Sequence, residues 1–550
     1  MEKAKKRLYI IIAVVVALVI AGVSVAVVLT RDEGERPDPT RTQIYVAYYN
    51  GGLGSQWFDD VKADFETKYP QYQLMPRPGL MIYDAGTLLN NFEGQNEVDI
   101  FFLDYCGIEY FNQFIQNGYA ADITEYVTAN LNEEFGEDTT AADKIVDSIA
   151  GYYNMDGHYY AMPWYQSGYQ MIYDVALFEE RSLYKDPDGN WNDGSNKSLG
   201  QDGLPDTFDD GLPETYSEFF ELMDHMVSQQ IVPLTFFGTN ANYFTSYLSN
   251  VFADYEGEND FMINYRLEGN DSDLGAVTLQ DAYRVKNGQT GRRYALEFAE
   301  RIIKGTSYYK QSVFQTTYDN YTMQQDFLMS TERTPNPDDN STWPVAMMID
   351  GAWWEREAQR TMNDMATLYE NDYYRYGTRE FGLMPIPEAD DGSSAPGNTT
   401  ACVSGRSLIF MNNNSDVKDA AGLFLQYMCT DRGLNIATSV SGMVRPYEYE
   451  MEEEYLAKMT PFGRELCDYM LNSAVVFEEM PIHDFLKSEQ GVTYCGYLCS
   501  FRSTAEATVN IAQYFLNADS SAQAYLNGMA IPRNEWEAAV SEFLAEQTTN

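Results

Sequence analysis

Histidine is nearly missing from this chain: 550 residues contain three, His158, His225 and His483. With so few the signal for catalysis is poor, and no HExxH, GxSxG or phosphate-cradling glycine loop occurs. Cysteine is scarce as well. Six (Cys106, Cys402, Cys429, Cys467, Cys495 and Cys499) are too few to frame so long a chain with disulfides, whatever their pairing. Basic residues are short too, since 36 Lys and Arg stand against 83 Asp and Glu, for a formal charge of −47. Such a charge repels nucleic acid and anionic lipid surfaces, so nucleic acid is not expected as a partner.

One long apolar run is present, Tyr9 to Leu29, behind the basic cluster Lys3, Lys5, Lys6 and Arg7. About twenty helical residues cross the hydrocarbon layer, and flanking Lys and Arg stay cytoplasmic. The expectation is a cytoplasmic tail over 1–8, a single transmembrane helix over 9–29 and a linker over 30–42, with the bulk extracellular. Ser24-Val25-Ala26 has the small-residue spacing of a cleaved signal peptide, but the run continues through Val27, Val28 and Leu29, which favours a retained anchor.

Apolar residues make up 44% of the chain, and the roughly 510 residues beyond the anchor exceed one core, so two lobes are expected. Gln43 to Tyr49 has the β-branched and aromatic content of a strand, and Asn50-Gly51-Gly52-Leu53-Gly54-Ser55 that of a turn. Trp57, Phe58, Val61, Phe65 and Tyr69 then mark one face of a helix that Pro70 closes. Strand and helix recur at Val98–Leu103 and Ile108–Asn117, and this alternation predicts an α/β architecture. Further helices are predicted over Tyr216–Gln229, Arg293–Ile303, Asp416–Thr430, Phe462–Asn472 and Ser503–Leu516.

The segment Lys185 to Glu214 breaks the pattern, being rich in Asp, Asn and Gly and nearly empty of apolar residues. It reads as an excursion from the core. Asp186, Asp188 and Asn190 open like an EF-hand loop, although the closing twelfth position is Lys197 rather than Glu. Asp202, Asp206, Asp209 and Asp210 resemble the D-G-x-x-D-x-x-D piece of thrombospondin-type calcium repeats. Alternating carboxylates let the oxygens that Ca²⁺ requires converge, so a structural calcium ion is one reading and a solvated acidic loop the other.

In order along residues 43 to 450, six stretches resemble one family. They are IYVAYYNGG with WFDDVKADFETKYPQYQL, VDIFFLD, FNQFIQNGYAADITEYV, HYYAMPWYQSGYQMIYDVALF, PVAMMIDGAWW, and the stretch from CVSGRSLIF to SGMVRPYE. Together they resemble the extracellular solute-binding proteins of carbohydrate ABC importers, the maltose-binding-protein-like group. Two features depart from it: there is no lipid-modified cysteine near the N-terminus, and the acidic segment 185–214 is extra. The resemblance implies two lobes joined by a hinge, with lobe 1 over 43–165 and about 400–443, and lobe 2 over about 166–399 and 444–550.

A sugar has polar edges and weakly apolar faces, so its site needs aromatic planes and planar polar groups. The resemblance places Trp164, Tyr165, Trp353 and Trp354 at ligand-facing positions, with Trp164 and one of Trp353 or Trp354 favoured as contacts. Trp57 and Asn50, with Tyr49, flank the glycine turn after the first strand, where α/β sheets expose ligand loops. Asp104 and Tyr105 end the second strand, Asp350 precedes Gly351, and Arg406 and Arg445 flank expected lobe crossings. The expected protein is a monomeric, membrane-held receptor of a Gram-positive cell. It binds an oligosaccharide and passes it to ABC permease subunits, without enzymatic activity or organic cofactor. The rivals are a cell-surface glycoside hydrolase and a sensory sugar-binding subunit.

Overall fold

The computed structural model describes residues 36–548 except 80–83, 96, 167, 306, 395–399, 405 and 502–509. The expected tail and transmembrane helix over 1–29, and the first part of the linker, 30–35, lie outside the described residues. Among the described residues no helix is long and apolar enough to cross a membrane.

Two sheets organise the chain. In the first, the strand order is Tyr72–Pro78, Thr42–Tyr48, Ile100–Leu103, Leu408–Met411 and Met162–Pro163. The first three strands are parallel, and Leu408–Met411 runs antiparallel to both its neighbours. Helix Gln56–Lys68 covers this sheet with Trp57, Phe58, Val61 and Phe65, spaced three to four residues apart along one face as the sequence predicts.

The second sheet has the order Val232–Thr235, Val345–Gly351, Tyr169–Asp174 and Phe381–Leu383. Every residue of Val345–Gly351 is buried, as expected of an interior strand covered on both faces. The long helix Ala241–Arg266 is broken at Gly257, whose φ of 73° only glycine adopts without strain. It runs beside Thr400–Ser404, which pairs in parallel with Ala474–Glu478.

The chain crosses between the lobes near 164–168, 404–407 and 457–460. The first two crossings are stitched together: the Trp164 N–H donates to the Ser407 carbonyl at 3.2 Å, and the Tyr165 N–H to Ser407 Oγ at 3.2 Å. Both later crossings differ from the expected boundaries. Thr400–Ser404 belongs to the second lobe because its partner strand and covering helix are there, so the return to the first lobe starts at Leu408. The first lobe runs to about Leu456 rather than 443. Tyr447 holds it there by donating to the Pro163 carbonyl at 2.8 Å, and the Asn435 amide by donating to the Glu450 carbonyl at 2.8 Å.

The acidic segment is an excursion, yet it is fastened to the second lobe. Tyr184–Lys185 pairs antiparallel with Trp191–Asn192. The Trp191 ring stacks on His225 at 4.4 Å, Lys185 pairs with Glu221 at 2.8 Å, and Gln201 donates to the Ile386 carbonyl at 2.7 Å. These contacts combine stacking, charge and a backbone acceptor, so a segment with little apolar surface still holds one position.

Candidate functional site

The strand ends of both sheets meet at a cleft of about 680 Å³. From the first lobe come Tyr49 and Gly52 after strand Thr42–Tyr48, and Asp104 and Tyr105 after Ile100–Leu103. The second lobe brings Phe237 after Val232–Thr235, Tyr169 at the start of its strand, and Trp353 after Val345–Gly351. Strand ends open here because helices close the faces of the sheets, leaving loops as the route for ligand contacts. Tyr165 and Arg406 lie on the two stitched crossings, so the hinge itself lines the cleft.

The second-lobe wall is a chain of rings. Trp353 meets Tyr169 edge to face at 5.4 Å, Tyr169 meets Tyr243 at 4.9 Å, and Tyr243 meets Phe237 at 5.3 Å. Edge-to-face neighbours fix each plane, so the wall is pre-formed. Amides and hydroxyls of Asn240, Asn242, Ser246, Ser249 and Asn320 stand around it. Glu357 is oriented from behind: Gln324 Nε2 donates to its carboxylate at 2.7 Å and to Asp350 at 2.9 Å, and Asn320 Nδ2 donates to it at 3.1 Å.

Asp104 sits half-buried at the floor. Its carboxyl is pushed up to about 7 by loss of solvent, against the opposing hydrogen bond from Tyr165 and the charge of Arg445. Arg406 Nη1 reaches both the Tyr105 hydroxyl and the Glu479 carboxylate, while its guanidinium lies 3.9 Å from the centre of the Tyr105 ring. Because Tyr105 is in the first lobe and Glu479 follows a strand of the second, Arg406 ties the lobes across the hinge. The lobes also touch at Gly52, where an added Cβ would lie 2.8 Å from Cγ of Trp353.

Of the expected ligand residues, Asp104, Tyr105, Tyr165, Trp353 and Arg406 line the cleft. Others do not. Trp57 and Trp164 are buried against each other at 4.4 Å, packed with Phe102, and form the floor's support rather than its surface. Trp354 is fully buried between Phe327, Phe381 and Phe462. Asp350 is fully buried, its carboxyl pushed up to about 8 by desolvation. Arg445 is buried over the Trp164 ring at 4.0 Å and donates to the Ala437 carbonyl at 3.0 Å. Asn50 is exposed, and its neighbours Tyr49 and Gly52 take the wall position. The sequence reading missed Tyr169, Phe237, Tyr243, Asn320 and Glu357. For Phe237 and Tyr243 the signal was present, because GTNAN follows a strand just as the glycine turn follows the first.

In the acidic segment, Asp186 Oδ1 accepts the N–H groups of Asp188 and Asn190 at 2.9 and 2.8 Å, and Asp209 Oδ2 that of Asp202 at 3.0 Å. Asp210 accepts the Asp206 N–H at 2.7 Å. These carboxylates are thus engaged in closing turns. Among the described residues, the set of three or more acids whose ligand atoms all lie within 4.8 Å of one another is Glu256, Asp260 and Asp271, in the second lobe, not in this segment.

The family model for bacterial extracellular solute-binding proteins matches residues 82–433. The chain belongs to that family. Its members bind solutes for ABC importers without chemical conversion, so the protein is a binding protein and not an enzyme. No curated protein matches the chain by sequence. Among solved structures, RafE of Streptococcus pneumoniae, solved with raffinose, is 14% identical, with 90% of this chain and 99% of that one aligned at a TM-score of 0.52. The cyclic α-maltosyl-1,6-maltose binding protein of Arthrobacter globiformis is 14% identical over 91% and 100% of the two chains, TM-score 0.52. The GacH receptor of Streptomyces glaucescens, solved with acarbose, is 11% identical over 91% and 99%, TM-score 0.52. At such identities these likenesses carry the two-lobed α/β fold.

Proposed function

We propose that the protein captures an oligosaccharide between its lobes and hands it to ABC permease subunits by hinge closure. The observation that carries this reading is the ring wall from Trp353 to Phe237, which faces hydroxyls, amides and carboxylates across a cleft of drug-ligand size. Flat rings suit the apolar faces of pyranoses, and the surrounding polar groups suit their hydroxyls. That RafE, GacH and the Arthrobacter protein bind raffinose, acarbose and a cyclic maltosyl-maltose supports an oligosaccharide over a single sugar. Contacts from both lobes coexist only when the lobes meet, so ligand shifts the equilibrium toward closure.

A glycan array followed by calorimetry on the full chain tests this reading. Saturable binding of an oligosaccharide, together with loss of its uptake when the gene is deleted, is the expected result. Absence of any saccharide ligand overturns it. We further propose that Tyr9 to Leu29 anchors the chain in the membrane, which membrane fractionation followed by surface proteolysis tests. Calcium at 185–214 is proposed on the spacing of its acids: a calcium-dependent rise in Tm that Asp202→Asn removes would support it, and an unchanged Tm would end it.

A further inference from the structure

Within the saccharide reading, the cleft carries a second property, an excess of unpaired negative charge. Among the described residues that line it, five are acids (Asp84, Asp104, Glu357, Glu478 and Glu479) against one base, Arg406, and Arg406 is already engaged by Glu479. Among the described residues, Asp84, Glu357 and Glu478 have no ion-pair partner, while burial holds the Asp104 carboxyl toward its neutral form. Their hydrogen bonds come from neutral donors: Asp84 accepts from the Gly86 N–H and the Thr87 hydroxyl, and Glu357 from Asn320 and Gln324. Arg445 lies behind Trp164 and is not among the residues that line the cleft.

A neutral sugar needs acceptors, and the amides and hydroxyls already present could share that work. Three carboxylates without a counter-charge do more: between low-dielectric aromatic walls they focus a negative potential on the ligand. An anionic sugar such as a uronate is opposed by that field. A protonated amine is favoured by it, and the faces of Trp353 and Tyr243 attract an ammonium group as well.

We infer that the saccharide taken by this cleft carries a protonated amine, as a glucosamine oligomer does, and that Glu357 is the carboxylate that selects it. The inference rests on the saccharide reading of the same cleft, and its test separates the two. The full chain is titrated calorimetrically with four oligomers of equal length: glucosamine, N-acetylglucosamine, a neutral glucan and a polyuronate. Each titration is run in low and high salt, with and without calcium.

The glucosamine oligomer is expected to bind about tenfold or more tighter than its acetylated counterpart, the factor that ~1.4 kcal/mol represents. That margin should shrink in high salt, which screens charge more than stacking. Glu357→Gln should narrow the amine-over-acetyl ratio several-fold, a ratio that a merely weakened fold would leave unchanged. If neutral or acetylated oligomers bind as tightly as the amine, or bind only with calcium supplying the positive charge, the inference is overturned while the saccharide reading stands. If none of the four binds, but a non-saccharide ligand does, both fall.

Discussion

Gly52 and Trp353 offer a direct handle on closure, because they belong to opposite lobes and meet across the mouth of the cleft. A Cβ added at Gly52 would collide with the Trp353 indole, most closely at Cδ1 and at 2.8 Å from Cγ. Carbon atoms rest about 3.5–4.0 Å apart, so the indole or the loop must give way by roughly 1–2 Å. Trp353 cannot turn aside freely, since Tyr169 stands against it at 5.4 Å. Overpacking of this kind costs about 1–3 kcal/mol. If the lobes part in the open form, that cost falls on the closed form alone. Gly52→Ala should therefore weaken ligand binding about 5- to 150-fold while leaving the Tm of the ligand-free protein within about 1–2 °C. Calorimetry gives the affinity, calorimetric melting the Tm, and small-angle scattering the compaction on adding ligand. Unchanged affinity with a lowered Tm would refute the reasoning, because the Gly52–Trp353 contact would then be ordinary packing present in every state.

Three other perturbations separate neighbouring roles. Trp353→Ala should cost at least about 2 kcal/mol of binding, near 30-fold in Kd, with little loss of stability, whereas Trp354→Ala should cost about 3–5 kcal/mol of stability by emptying a core site; denaturant melts and titrations of both proteins check the contrast. Arg406→Met removes the tie between Tyr105 and Glu479, and scattering should then show a more open ligand-free protein. Stability should fall as pH rises. Burial pushes the carboxyls of Asp350 and Glu256 up to about 8 and those of Glu355 and Glu465 to about 7, so between about pH 4 and 8 the folded state holds protons the unfolded state has released. With more protons bound when folded, the slope of unfolding free energy against pH is negative there, and Tm at pH 5.5 should exceed Tm at pH 8.

The sequence was most legible where one local signal decides the outcome. Trp57, Phe58, Val61 and Phe65 recur at helical spacing and face the core of a helix. Strand ends marked Asp104 and Tyr105, and both line the cleft. Legibility fell where neighbours in sequence take opposite environments. Trp353 and Trp354 are adjacent, yet one faces the cleft and the other fills the core, because the turn after Gly351 points consecutive side chains in different directions. The long helix Ala241–Arg266 escaped notice because Ser249, Asn250 and Asn264 are buried in it alongside its apolar residues, which erases the amphipathic stripe. The second return to the other lobe was placed too early for a related reason: Tyr447 and Asn435 hold the chain through hydrogen bonds to distant backbone, and no local pattern records them.

A crystal structure of the protein grown with the saccharide that binds it tests the central claim most directly. The account predicts an uncleaved sugar between the lobes, its ring faces against Trp353 and Tyr243 and its polar edge toward Glu357 and Asp104. A sugar held on an outer surface, or cleavage products in the cleft, would contradict it.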